Sequence, residues 1–333
     1  MTFVLVAGTT ETARIDGISA AGADPEAMAV TPTADAEILI EGNVVDAPAV
    51  PVSPSGCPTP ALVTRAVREL AGFDARVIDA GLATAPGIDT TTVAERPGGD
   101  VRTAEPVPDA DAIWERARAV GEKIAEQTAD RVYVGETIPG GTTTAFGVAQ
   151  ALGVDLSVSS SLPENPLERK RAVVRDGFDA SGIEAGELAG EPQRAVRRQG
   201  GPVLAAVVGV VEGALSAGAS VTLAGGTQLL AAAALLRHAG VDAGLELATT
   251  AYVAADATAT VRETAAALDL SLTVTDPELG DCGHAGIERL AAGEGKEGVG
   301  MGGALALARR RGVELQAIRD RTEQLYDRFL GDI

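Results

Sequence analysis

The chain has 333 residues, enough for a sizeable core, and its 46% hydrophobic and 3% aromatic content means that Ala, Val, Leu and Ile build most of that core. Asp and Glu number 47 against 27 Lys and Arg, which gives a formal net charge of −20. This charge repels a phosphate backbone and argues against a nucleic-acid binder, while the apolar content argues against a disordered chain.

The charge and the cysteine count also bear on the environment of the protein. Abundant Asp and Glu with only three lysines are typical of proteins kept soluble in concentrated salt, although an ordinary acidic cytosolic enzyme is the alternative. Two cysteines, Cys57 and Cys282, cannot form a disulfide scaffold. The N-terminus lacks the basic region of a signal peptide, and no stretch is long and apolar enough for a membrane span. We therefore expect a soluble, cytoplasmic protein without membrane contacts.

Short apolar runs alternate with helical patterns along the chain. The runs that predict strands are 3–7, 37–40, 76–79, 131–134, 220–224, 245–249 and 271–274. The helical patterns cover 60–71, 110–129, 142–152, 166–176, 202–217, 228–239, 256–268, 304–311 and 314–329. Almost wholly apolar strands that alternate with helices are typical of an α/β fold. We expect a doubly wound, mostly parallel, Rossmann-like sheet with helices on both faces and a small helical subdomain.

The domain organisation is predicted to be simple. We expect one domain over residues 1–333, because no internal repeat or low-complexity tract interrupts the chain. Segment 1–57 is poorer in helix signals than the rest of the chain. Segment 96–109, rich in Pro, Gly and charge, is predicted to be an exposed loop rather than a domain boundary.

The clearest candidate for a binding site is the loop 134–145, since ligands of such sheets bind beyond the carboxyl ends of the strands. Here Gly140, Gly141, Thr142 and Thr143 follow an apolar strand and open a helix. Glycines let the backbone approach an anion, threonines offer hydroxyls, and the helix start presents free N–H groups. The Gly-Lys-Ser/Thr ending of a P-loop is absent, and a turn with a helix cap is the alternative.

Two further glycine loops precede helices. Residues 293–303 hold six glycines, and Glu297 among them could orient a substrate or accept a proton. Composition alone slightly favours the alternative, a solvated, flexible loop. The turn 224–228 contains Gly225 and Gly226, whose amides could contact a ligand, although a tight structural turn is the better explanation of these glycines.

A basic cluster stands out in so acidic a chain. Its members could recruit a phosphate or a carboxylate, and Lys170 is singled out as one of only three lysines, but ordinary ion pairs on helix faces are the alternative. The segment 281–284 places Cys282 near His284, which is too few ligands for zinc, so no metal site is predicted. The cluster consists of Arg169, Lys170, Arg171, Arg175, Arg194, Arg197 and Arg198.

Five segments within residues 130–311 resemble, in order, the motifs of the nicotinate-nucleotide–dimethylbenzimidazole phosphoribosyltransferase family of cobamide nucleotide-loop assembly. The family pattern GE-x-x-x-GNTTTA is similar to 135–145, RKxxVV to 169–174 and GGPEIAALAG to 200–209. DGF-x-x-x-AAALLA is similar to 224–233, and GEGTGAALAL, which carries the family's catalytic glutamate, is similar to 297–300 and the helix that follows.

The resemblance implies a transfer of ribose 5-phosphate from nicotinate mononucleotide to a benzimidazole-type base, with release of nicotinate. It implies Glu297 as the general base and Glu136 and Lys170 in positioning and charge balance. It implies a homodimer that acts on small molecules and needs no cofactor or metal. A non-catalytic nucleotide-binding or regulatory protein of the same fold is one alternative, and a phosphoribosyltransferase for another acceptor is a second. The remaining residues predicted to bind substrate or phosphate are Gly140, Gly141, Thr142, Thr143, Gly201, Gly225, Gly226, Gly298 and Gly300.

The sequence also departs from the family pattern. Gly141 replaces the family's Asn, Ala224-Gly225-Gly226 replaces DGF, and an SHRSAEPGH-type segment is reduced to Gly283-His284. The N-terminal third carries no family signature. The whole resembles a divergent archaeal branch of the family, and the acidic composition suits a salt-loving archaeon.

Overall fold

A parallel sheet organises residues 1–127, 130–281 and 284–330, which are the residues that the computed structural model describes. The order of its seven strands is β3-β2-β1-β4-β5-β6-β7, and every neighbouring pair is parallel. The order reverses between β1 and β4, which confirms the predicted doubly wound α/β fold. The strands are β1 (Thr2–Ala7), β2 (Asp74–Ala80), β3 (Thr90–Ala94), β4 (Arg131–Thr137), β5 (Ser220–Ala224), β6 (Leu245–Thr250) and β7 (Leu270–Thr275).

Helices cover both faces of the sheet. They are α1 (Pro25–Glu41), α2 (Ala61–Ala71), α3 (Ala110–Glu126), α4 (Gly141–Leu152), α5 (Leu167–Ser181), α6 (Pro192–Gln199), α7 (Pro202–Ser216), α8 (Thr227–His238), α9 (Ala251–Ala254), α10 (Val261–Ala267), α11 (Ala285–Ala291), α12 (Met301–Arg310) and α13 (Leu315–Leu330). Val4 and Val6 of β1 face the core that includes α3, α4, α7 and α8, while Phe3 and Leu5 face α1, α2, α12 and α13. Alternate side chains of a strand point to opposite faces, so both faces must be apolar. The expected small helical subdomain corresponds to α5 and α6, which pack on α4 and on each other.

The segment 37–40, predicted as a strand, lies in the last part of α1, so this prediction is wrong. The helix begins at Pro25, which lacks the N–H that an early helix position leaves unpaired, and Asp24 accepts the N–H of Ala27 at 2.8 Å. It ends at Gly42 in the left-handed conformation. A short apolar run inside a longer helix cannot be told from a strand by periodicity.

The edge strand β3 was not predicted, because three threonines begin it and only its end is buried. The loop 96–109 has no helix or strand, as predicted, but it is not fully exposed: Val101 and Val107 are buried. The N–H of Gly98 donates to the Thr9 carbonyl at 2.9 Å, which ties this loop to the end of β1. Residues 128 and 129 of the predicted helix 110–129 lie outside the described residues.

Candidate functional site

A cavity of about 140 Å³ lies at the carboxyl ends of β4 and β5, beside the point where the strand order reverses. Ligands of doubly wound sheets bind at this position because the loops on either side of the reversal diverge and leave a crevice. The cavity is lined chiefly by segments 51–53, 57–60, 136–142, 159–161, 226–228 and 295–299, together with Asp35.

Three carboxyl groups face this cavity: the buried Asp35 from α1, the buried Glu136 from β4 and the partly buried Glu297 from the loop before α12. Burial raises the pKa of Asp35 to about 6, that of Glu136 to about 8 and that of Glu297 to about 7. The charges of Glu297 and Asp35 raise the pKa of Glu136 further. The group can therefore hold and release protons near neutral pH, as acid–base chemistry requires.

Backbone amides fix the carboxylate of Glu297. It accepts N–H bonds from Thr250 at 3.1 Å, from Gly298 at 3.2 Å and from Gly302, in the first turn of α12, at 3.0 Å. These bonds favour the charged form and oppose the effect of burial on its pKa. The helix N-terminus adds positive potential at the same place. Of the three carboxyl groups, Glu297 thus accepts the most hydrogen bonds that stabilise its negatively charged form.

Glu136 has a different environment. Its side chain accepts a hydrogen bond from Gln228, and its own carbonyl accepts the N–H of Val299 at 3.0 Å. The second bond joins the end of β4 to the loop that carries Glu297. With one side-chain donor against several on Glu297, Glu136 is the carboxyl of the pair that keeps its proton more readily.

Sequence reasoning missed Asp35. Its two carboxylate oxygens accept the hydroxyls of Thr59 and Thr137, each at 2.6 Å, and only 2% of the residue is exposed. An acidic residue inside the apolar stretch 34–40 was the available signal, because a carboxyl buried in a helix needs specific partners. The N-terminal segment without family motifs therefore contributes to the cavity.

The two lysines near the cavity support one of its walls. Lys170 is fully buried behind the loop 159–161, and its Nζ donates to the Ser159 carbonyl at 2.6 Å. Burial lowers the pKa of Lys170 to about 7, and the charge of Lys296 lowers it further. Lys296, which the sequence did not single out, lines the cavity, donates to the Ser160 carbonyl at 3.2 Å and pairs with Asp256 at 3.4 Å.

The structure brings seven of the twelve predicted site residues together at the cavity: Glu136, Gly140, Gly141, Thr142, Gly226, Glu297 and Gly298. Thr143 is buried beneath the loop, and its Oγ1 has no hydrogen-bond partner among the described residues. Lys170, Gly201, Gly225 and Gly300 do not line the cavity. At Gly225 and Gly300 close packing explains the glycine, since a Cβ would press on the side chains of Leu229 and Phe3, respectively.

Most residues of the basic cluster form ion pairs on the surface. This agrees with the alternative that these residues are ordinary ion pairs rather than an anion site. Such exposed pairs contribute little to stability and leave these arginines outside the cavity. The pairs are Arg169–Asp16, Arg171–Glu168, Arg194–Glu191, Arg197–Asp111 and Arg198–Glu105.

Cys282 and Gly283 lie outside the described residues. His284 precedes α11 as its N-cap, where its Nδ1 accepts the N–H of Gly286 at 3.1 Å. Cys57 lines the cavity, but burial raises the pKa of its thiol to about 12, so it stays protonated. Within residues 1–127, 130–281 and 284–330, no three His, Cys, Asp or Glu side chains are grouped as metal ligands would be. None of the helices in these ranges is long and apolar enough to cross a membrane.

The fold and the cavity define an α/β protein with an acid-lined cavity at the strand-order reversal. A family model described as a phosphoribosyltransferase matches residues 63–243, just over half of the chain. The chain belongs to this phosphoribosyltransferase family.

Relatives and a solved structure agree with this assignment. The chain is 55% identical to a UPF0284 protein of Halobacterium salinarum over 98% of this chain and 97% of the relative. UPF0284 proteins of Methanothermobacter thermautotrophicus and Pyrococcus abyssi are 40% and 39% identical to this chain. Each match covers 98% of this chain, and the two cover 93% and 97% of the respective relatives. The archaeal branch expected from the sequence is thereby confirmed.

The fold is also that of the nicotinate-nucleotide-dimethylbenzimidazole phosphoribosyltransferase from Thermus thermophilus. The TM-score is 0.63 at 19% sequence identity, over 99% of this chain and 84% of that one.

The raised pKa of Glu136 predicts a stability that falls as pH rises. A carboxyl whose pKa is near its ordinary value of 4.5 when unfolded and about 8 when folded stabilises the protein below pH 4.5, and this contribution is lost between those values. In Glu136→Gln the amide cannot ionise, so we expect the variant to gain on the order of 1–3 kcal/mol in unfolding free energy over wild type at pH 9 and little at pH 5. Urea unfolding at fixed high salt measures the unfolding free energy of wild type and variant at both pH values.

The exposed carboxyl of Glu164 provides the control for this measurement. Glu164→Gln should give a pH profile parallel to that of wild type. A Glu136→Gln profile that declines as steeply as wild type would contradict the assignment of a buried, protonated Glu136.

Proposed function

We propose that this protein moves the ribosyl 5-phosphate group of nicotinate mononucleotide to a ring nitrogen of a benzimidazole-type base. The products are nicotinate and an α-ribotide that serves as the precursor of a cobamide lower ligand. The observation that carries the proposal is the pair of carboxyls with raised pKa values, the buried Glu136 and the partly buried Glu297, in one cavity with the glycine loop 140–142. Family membership and the fold of the Thermus thermophilus enzyme support it.

The phosphate of the donor fits the loop 140–142 at the start of α4. The helix dipole favours a negative charge there. The N–H groups of Gly141 and Thr143 donate to the Ile138 and Gly140 carbonyls at 3.2 and 3.0 Å, so within the described chain those of Gly140 and Thr142 remain for the phosphate. Gly140 has φ +77°, a left-handed conformation that glycine adopts without strain, and it brings the backbone directly to the cavity wall. Lys296 is the one cation among the described residues that line the cavity.

The acceptor base fits the apolar part of the cavity lining. Segment 51–60 presents Pro51, Val52, Pro58 and Pro60 to the cavity, and Val253 adds a further apolar surface. Flat apolar walls suit a planar ring, while the carboxyls supply the polar contacts that orient it. This wall comes partly from the segment without family motifs, so the acceptor preference of this branch is set there.

The reaction needs one base and no strong acid. The ring N–H proton of the acceptor passes to the Glu297 carboxylate as the ring nitrogen forms its bond to C1′. The bond between C1′ and the pyridinium nitrogen breaks, and its electron pair returns to the ring, so nicotinate leaves without protonation. A protonated Glu136 avoids a second negative charge beside Glu297 and can donate a hydrogen bond. The homodimer and the cytoplasmic location expected from the sequence stay predictions.

Nicotinate release tests the proposal directly. Purified protein in high salt, given nicotinate mononucleotide and dimethylbenzimidazole, should release nicotinate and form an α-ribotide in equal amounts, which chromatography measures. No product with any benzimidazole or purine base, from a folded preparation that binds the nucleotide, would instead identify a non-catalytic nucleotide-binding protein.

Glu297→Gln tests the general base. The amide keeps the shape of the side chain but cannot accept the proton, so kcat should fall by at least ~100-fold. The wild-type kcat/KM should rise with pH through about 7, as Glu297 loses its proton, and fall again above about 8, as Glu136 loses its own.

Glu294→Gln is the matched control for this substitution. Its carboxyl lies in the same loop but accepts the hydroxyl of Ser53 at 3.1 Å, and the rate should stay near that of wild type. A Glu297→Gln variant with the wild-type rate removes Glu297 from the role of base.

A further inference from the structure

Gln228, the second residue of α8, has an unusual pair of contacts for a buried amide. It is 9% exposed and lines the cavity. Its amide nitrogen donates to the carboxyl of Glu136, whereas its Oε1 is buried without a hydrogen-bond partner among the described residues. A buried carbonyl acceptor without a donor is unfavourable, so a ligand that brings an O–H or N–H to this point would gain a hydrogen bond.

The position of Oε1 indicates which part of a ligand it meets. A Cβ at position 141 would overlap Oε1 and lie 2.6 Å from the Gln228 side-chain carbonyl carbon, so the amide rests against the first residue of α4. One end of the amide therefore borders the glycine loop 140–142, and the other end holds Glu136. The family pattern has an Asn at position 141, and the Gly141 of this chain leaves the room that the Gln228 side chain fills.

We propose that Gln228 recognises the 2′-hydroxyl of the ribosyl donor, with Oε1 accepting the O–H bond while the amide nitrogen holds Glu136. The inference rests on the proposed function, which places the phosphate at the glycine loop and C1′ beside the carboxyls. The 2′-carbon is bonded to C1′, so its hydroxyl is the sugar hydroxyl nearest to the reacting carbon and to the carboxyls beside it. The same side chain thereby orients the ribose and the carboxyl that faces it.

Binding of ribosyl and deoxyribosyl ligands tests this assignment without the need for turnover. Calorimetry measures the Kd of nicotinate mononucleotide and of its 2′-deoxy analogue with wild type and with Gln228→Met, which has similar volume but no amide. Wild type should prefer the ribosyl ligand by about 10- to 100-fold, and Gln228→Met should reduce this preference to about threefold or less. Gln228→Glu keeps an acceptor oxygen and should retain a preference of at least about tenfold.

A second buried glutamine in the chain provides the matched control. Gln199 also has an Oε1 without a partner among the described residues, but its amide nitrogen donates to Ser181 at 3.2 Å, away from the cavity. Gln199→Met should keep the wild-type preference. A Gln228→Met variant that also keeps it, or a wild type without any preference, overturns the assignment.

The two proposals fail in different ways. Wild type that binds with the expected preference but releases no nicotinate contradicts the transferase and leaves the role of Gln228 as a sugar contact. Wild type that turns over normally while Gln228→Met keeps the full preference contradicts the role of Gln228 alone.

Discussion

The close approach of α12 to the carboxyl ends of the central strands is the constraint on which the site depends. A Cβ on Gly135 of β4 would lie 2.8 Å from the Gly300 Cα, and Cβ atoms on Gly302 and Gly303 would overlap Thr249 and Ala224. Only glycines allow backbones to pack this closely. The contact brings the N-terminus of α12 against the sheet edge, and the Glu297 carboxylate follows because Gly302 donates to it. Much of the glycine richness of 293–303 therefore serves helix–sheet packing, and the ligand site is its consequence.

Burial then decides how the carboxyls behave. Three acidic groups wholly or partly removed from water in one cavity cannot all be ionised at low cost, so their pKa values rise and separate according to the donors each receives. Glu297 has backbone N–H groups, Asp35 has two threonine hydroxyls and Glu136 has one amide. The arrangement stabilises the folded state less as pH rises, which is a stability cost of a site poised to exchange protons near neutrality.

Local signals made most of the sheet predictable, and long-range contacts explain what was missed. The strands β1 and β4 to β7 are apolar runs flanked by turn residues, whereas β3 begins with three threonines at the sheet edge and carries no such pattern. Glu136 and Glu297 stand in glycine loops that the sequence displays. Asp35 reaches the cavity from a helix about a hundred residues away from Thr137, its partner, and no spacing rule reveals such a pairing.

The sequence also could not show which lysine, Lys170 or Lys296, reaches the cavity. Rarity singled out Lys170, but burial places it behind the loop 159–161, while Lys296 reaches the cavity. A chain of net charge −20 that presents one lysine to the cavity cannot rely on long-range attraction to collect an anionic nucleotide. The proposed phosphate contacts are instead backbone N–H bonds at the start of α4, which act only at contact distance. Salt screens attraction over many ångströms far more than it weakens a buried hydrogen bond, so an amide-built site keeps its affinity in the concentrated salt that the composition predicts.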